Sequence, residues 1–409
     1  RAPTVTLLEP AGRLPSSFRA ELGYRAQLGR ALAGSVRYVY ARGFGLWGYR
    51  DLNLDESRTF LLAGEGRPFF GDPSAIVPAS GAVSPAASRR HPEFGHVYAV
   101  RSDLRSESHQ LVVQLQAAPS PWTSVVANYT LGRSRDQGSG GFGALPPTAG
   151  NPNAVEWAPA AGDRRHTLSL VVSHAFRPSL ELSAIARASS GTPFTPLVNA
   201  DINGDGLRND RAFIFDPAAV ADPALAAGME RLFAAVPGRV RECLEAQLGR
   251  IAGRNSCRNG WSASLDLRLG LRPLLPALAR RVTVSVDARN VLTGLDQLLH
   301  GRAGMKGWGE GRRADPTLLY VRGFDPDGRR FLYEVNEGFG QARRGTNAFR
   351  NPFALTLSAR VAVGGAPQGE RGFGRPVAFG GGFGAPAGRG SGDGVGGPGS
   401  FGGSGPGAL

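Results

Sequence analysis

Oxygen-bearing side chains recur at alternate positions in Asp201-x-Asn203-x-Asp205-Gly206, followed by Asn209-Asp210. This is the oxygen spacing of a calcium loop. The first, third and fifth positions supply side-chain oxygens, the glycine permits a sharp turn, and Leu207 offers its carbonyl. Ala212 stands where a bidentate Glu would close the ligand set. The missing ligand either lowers affinity or is replaced by Asp210 or Asp216. The expectation is calcium on Asp201, Asn203, Asp205, Leu207, Asn209 and Asp210, with no other cofactor required. The competing reading is a loop of Asx-turns that holds no metal.

The chain has two cysteines, Cys243 and Cys257, in one loop region. A pair closing a short loop suits a disulfide in an oxidising compartment, worth about 3 kcal/mol. Two free thiols are the alternative. A metal site fits least, because CxxC spacing and a nearby His are both missing.

No set of residues points to catalysis. His91, His96, His109, His166, His174 and His300 are scattered, without HExxH or HxH spacing. The glycine clusters near the end of the chain do not open a helix after a βα turn, so they are not phosphate loops. An enzyme is not expected. The net charge of +14 raises the question of nucleic acid. However, Lys306 is the only lysine, and the arginines are dispersed with no basic block and no interleaved aromatics. Nucleic acid is therefore not an expected partner.

The elements that carry these residues follow a period of two. In Trp261–Arg272 the residues Trp261, Ala263, Leu265, Leu267, Leu269 and Leu271 alternate with Ser262, Ser264, Asp266, Arg268, Gly270 and Arg272. Such alternation marks a β-strand with one apolar and one polar face. It recurs at 18–26, 35–42, 110–117, 122–133, 165–176, 179–189, 282–290 and 353–363, giving nine strands. Short connections of about two to nine residues alternate with long ones of about thirty to seventy, at 43–105, 134–163, 190–260 and 291–352. Asp222-Pro223 predicts a helix to Val236, with a second over 239–251. Asp325-Pro-Asp-Gly328 predicts a hairpin between 318–324 and 330–336. Residues 364–409 are Gly- and Pro-rich and are expected to be disordered.

No apolar run reaches eighteen residues, so no transmembrane helix is expected. Strands with alternating faces, short turns at one end and long loops at the other fit an all-β antiparallel transmembrane barrel. Leu265, Leu267 and Leu269 would face lipid. Arg19, Glu21, Glu181, Arg187, Asp266, Arg268, Asp287, Arg289 and Arg360 would face a wet lumen, since each buried in a sandwich core would need a partner. Phe18, Trp122, Phe176, Trp261 and Phe353 sit where aromatic girdles belong. A secreted β-sandwich is the soluble alternative.

The segment Ser190-Gly-Thr-Pro-Phe-Thr-Pro-Leu-Val-Asn-Ala-Asp-Ile-Asn-Gly-Asp-Gly-Leu-Arg-Asn-Asp-Arg-Ala-Phe213 resembles TonB-dependent outer-membrane receptors of the Oar-like branch. Asp163-Arg-Arg-His166, Asn255-Ser-Cys-Arg258 and Asp287-Ala-Arg-Asn290 support it. The resemblance implies that residues 1–363 are the C-terminal part of a larger receptor barrel, with a plug domain and TonB box in a missing N-terminal part. It also implies energised uptake of an extracellular ligand, a TonB-type energy-coupling partner, outer-membrane lipid around the barrel, and location in the bacterial outer membrane. A non-transporting barrel, acting as adhesin or structural protein, is the alternative. The ligand is not legible in the sequence.

Overall fold

The computed structural model describes residues 2–10, 12–138, 145–273, 281–309, 313–341 and 352–363. The tail expected to be disordered lies outside them. Nine strands pair in chain order as one antiparallel meander: β1 (Ser16–Gly29), β2 (Leu32–Asp51), β3 (Val97–Ser120), β4 (Thr123–Asp136), β5 (His166–Arg177), β6 (Leu180–Ser189), β7 (Ser262–Leu271), β8 (Val282–Arg289) and β9 (Ala354–Val361). Each expected strand is present. Two-residue turns at Arg30-Ala31, Pro121-Trp122 and Pro178-Ser179 lie at one end of the sheet. Among the described residues, no helix is long and apolar enough to cross a membrane.

The register carries the period-two pattern across the whole sheet. One row runs Val36, Val113, Tyr129, Leu168, Ala188, Ala263, and another runs Val172, Ala184, Leu267, Ala288, Leu355. Both are apolar throughout. The opposite face holds ion pairs: Glu21–Arg37 at 3.2 Å, Arg187–Asp266 at 3.0 Å and Arg268–Asp287 at 3.6 Å. A one-residue slip would exchange these faces, so the pattern itself fixes the register.

Polar aromatics mark two levels on the apolar face. At the long-connection end the Tyr38 hydroxyl meets His109 Nδ1 at 2.7 Å, and the Tyr129 hydroxyl meets His166 Nδ1 at 2.8 Å. His166 in turn stacks on Trp261 at 5.8 Å. At the other end His174 packs edge-on against Phe176 at 4.6 Å. From His166 to Phe176 is about 33 Å along a strand, which strand tilt reduces to about the 25 Å height of an outer-membrane apolar band.

The hydrophobic core is not in the sheet. It lies in the long connections, which fold together into one cap at their end of the sheet. Leu62, Phe69, Ile202, Met229, Leu232 and Leu318 are buried in a single cluster, although they come from three different connections. Helix α1 (Pro223–Ala235) starts where expected, and the Asp222 carboxylate accepts from the amides of Ala224 and Leu225. It packs against the hairpin Thr317–Asp325/Arg330–Val335, and the hairpin itself is the expected one.

Three expectations need correction. The strands do not stop at 42 or start at 105: β2 reaches Asp51 and β3 begins at Val97, continuing through register shifts near Gly43, Leu46 and Gly48. Irregular pairing of this kind breaks the alternation that sequence reading depends on. The second helix, α2, spans only Gly238–Glu245, because Arg250–Ile251 instead pairs as a strand with Phe213–Ile214. The connection after β8 opens with a helix, α3 (Val291–Gly304), where only a loop was expected. Gly294, Gly301 and Gly304 had masked it.

Candidate functional site

The Asp201–Asp210 loop lies deep in the cap. Asp201, Asn203, Asp205 and Asp210 turn back on the loop's own backbone, while Asn209 donates to the Pro146 carbonyl at 3.0 Å. Asp201 accepts from the amides of Gly204 (2.7 Å) and Gly206 (2.8 Å), Asn203 from Asp205 (3.0 Å), and Asp205 from Leu207 (2.8 Å). Asp210 accepts from the amide of Ile202 at 2.8 Å. Gly204 has φ +81°, and a Cβ there would lie 2.6 Å from the Phe70 carbonyl, so only glycine fits.

Burial dominates the electrostatics. Burial, with repulsion from Asp205, pushes the Asp201 carboxyl up to about 7. Burial likewise pushes Asp210 well above the carboxylate range, against the pull of Arg67. The structure thus brings Asp201, Asn203, Asp205, Asn209 and Asp210 into one dry pocket of backbone, but it spends most of their oxygens on amides. Among the described residues, no three of His, Cys, Asp and Glu gather as metal ligands. Two buried oxygens, Asn209 Oδ1 and Asp210 Oδ1, are left without a hydrogen bond. The Leu207 amide donates to Asp205, which leaves its carbonyl outside that bond.

Residues far away in sequence complete the loop, and sequence reading missed them. Arg67 is fully buried. Its guanidinium donates to Glu65 (3.0 Å) and to the carbonyls of Ala149 (3.1 Å) and Arg211, and stands 3.5 Å from Asp210. Tyr333 donates its hydroxyl to Glu65. Arg89 joins Asp51 (2.6 Å) to the Asp205 carbonyl, and His96 Nδ1 meets Asp51 at 2.8 Å. Burial pulls the Asp51 carboxyl upward, but the His96 hydrogen bond and the Arg89 charge outweigh it and hold it below the ordinary range. Three other connections are thereby tied to one loop. The only local signal was an arginine, Arg67, set before Pro-Phe-Phe, a run that must be buried.

Cys243 on α2 and Cys257 form the expected disulfide, with Cα atoms 5.5 Å apart. Cys257 and Arg258 pair with Pro193-Phe194 at the top of the sheet, so the bond staples the helical insert to the strand ends.

A family model for an outer membrane beta barrel domain matches residues 2–292, more than half of the chain. The chain belongs to the outer membrane beta barrel family. This barrel chain is similar in shape to the outer membrane transporter YddB from Escherichia coli, at 10% identity and TM-score 0.38, over 72% of this chain and 31% of that one. It is also similar to the FrpB iron transporter from Neisseria meningitidis (10% identity, TM-score 0.35, 70% of this chain and 28% of that). A third likeness is to the pyoverdine outer membrane receptor FpvA from Pseudomonas aeruginosa (12%, 0.36, 85% and 30%). The chain spans under a third of the length of each. A search of curated proteins finds no match. The barrel lies in the bacterial outer membrane: its apolar face meets lipid and its ion-paired face meets the lumen.

Proposed function

We propose that this chain is part of a TonB-dependent receptor of the Oar-like branch, taking up an extracellular ligand with energy supplied through a TonB-type partner. The observation that carries this reading is the cap. Long connections that share one hydrophobic core and a buried charge network present a fixed surface, which suits selective capture. The lumen ion pairs supply a polar path behind it. Strands β1 and β9 each pair on one side only among the described residues. Open edges are untenable in hydrocarbon, so further strands complete the barrel. The test is photo-crosslinking of the receptor to the TonB-type protein in its own cells. A cross-link supports uptake. Its absence from surface-located receptor would turn the reading to a non-transporting adhesin or structural barrel.

Calcium on Asp201, Asn203, Asp205, the Leu207 carbonyl, Asn209 and Asp210 belongs to the same proposal. Asn209 Oδ1, buried and without a hydrogen bond, supports it. The ion would have to displace amides from Asp201 and stand beside the Arg67 guanidinium at Asp210, which places affinity near the about 10⁻⁴–10⁻³ M of extracellular calcium modules. Calorimetry at millimolar calcium should show binding that Asp205→Ala abolishes. No binding leaves the loop as a set of Asx-turns.

A further inference from the structure

The cap encloses a cavity of about 650 Å³ between the hairpin, α1 and the segment that precedes it. This lies within the about 300–1,000 Å³ of small-molecule sites. One wall is aromatic. Phe213 and Phe215 are 4.9 Å apart between ring centroids, Phe215 and Tyr333 5.7 Å, and Phe331 and Tyr333 6.3 Å. The charges around it are unequal. Glu65 is neutralised by Arg67, and Arg330 is paired with Asp325 at 3.2 Å. Two carboxylates remain, Asp216 and Asp222, and neither has a cationic partner among the described residues. Each uses Oδ1 on turn amides (Ala218 for Asp216; Ala224 and Leu225 for Asp222), and in each case Oδ2 accepts no hydrogen bond from the described residues. The α1 amides nearest the cavity are consumed by Asp222, so the helix start offers an anion little.

We propose that this cavity binds a small organic cation with an apolar or aromatic body. The ring faces attract a cation through their quadrupoles, and the two free carboxylate oxygens supply the counter-charge at the edge. In a chain of net charge +14, a site with this sign is a local exception. The proposal rests on the ligand-capture reading for its biological use, but its physical claim stands without transport.

The test is calorimetry on the complete receptor in detergent, with tryptamine, tryptophol and indole-3-propionate. These share one ring system and differ in end charge. Tryptamine should bind more tightly than the neutral and anionic probes. Asp216→Asn and Asp222→Asn keep the turn and the helix cap, because Asn serves both. Each should weaken tryptamine about five- to tenfold while leaving tryptophol unchanged. Phe215→Ala should weaken all three. Equal binding of the three probes, preference for the propionate, no binding at millimolar concentration, or tryptamine affinity indifferent to both Asn variants would each overturn the proposal. None of these results bears on the TonB cross-link, so the two readings fail separately.

Discussion

At the scale of single residues, a few charges bind distant segments together. Arg67 is the clearest. Its partners come from three connections, and truncation leaves Glu65 and Asp210 buried without this counter-charge. Arg67→Ala should cost about 3–5 kcal/mol of cap stability, the usual loss when one member of a buried pair is removed. Denaturant unfolding followed by tryptophan fluorescence measures it. Asp296 acts within one connection. It accepts from the amides of Lys306 (2.9 Å), Gly307 (2.5 Å) and Trp308 (2.9 Å) and from His300 (2.9 Å). Burial pulls its carboxyl upward, but these donors outweigh it and hold it below 3.8. A depressed folded value means the contribution is complete above the unfolded value and is lost as pH falls further. Asp296→Ala should therefore cost about 1.5–3 kcal/mol at pH 7, and the gap to the wild type should begin to narrow as pH falls below about 4. A gap that does not narrow with acid would refute this account. The calcium-type spacing was legible because its residues are adjacent in sequence. Arg67, Arg89 and Tyr333 were not, because nothing local announces a partner more than a hundred residues away.

At the scale of elements, the strands were legible and the cap largely was not. Alternation is imposed by two solvents on two faces, so it survives in one sequence without any alignment. The extensions of β2 and β3 escaped because, past the membrane, both faces lose that constraint and bulges shift the period. Helix α3 escaped because glycines interrupt it. The faces give a direct test. Leu267 sits mid-strand between Ala184 and Ala288 on the lipid side. Leu267→Arg should cost about 2–4 kcal/mol if placed at mid-bilayer, whereas Arg268→Leu on the lumen side should cost far less. Equal costs in lipid-vesicle refolding would contradict the assignment of faces. In the cap, Cys243 and Cys257 are 14 residues apart. Cys243→Ser should lower cap stability by about 3 kcal/mol through the freed loop alone, visible as an earlier unfolding midpoint. The same shift should appear in wild-type protein under reductant.

At the scale of the whole molecule, the barrel wall and the cap are stabilised by different physics. The wall depends on lipid and ladder hydrogen bonds; the cap has a water-excluding core of its own. The two should unfold separately in detergent, with the cap melting first and as one transition. Replacing 54–94 by a short Gly-Ser linker should expose the remaining connections to protease at once, since Leu62, Phe69, Arg67 and Arg89 all leave together. Protection of 190–260 after that replacement would show that the connections fold independently.

The shared core also bears on inheritance. Surface loops of outer-membrane proteins are under pressure from phages and antibodies, and a loop that folds alone can change alone. Here a new sequence in one connection must still fit the packing and charges of two others. Change at this surface is therefore expected in compensated sets, and a single loop grafted into another barrel should arrive without the neighbours that give it a shape.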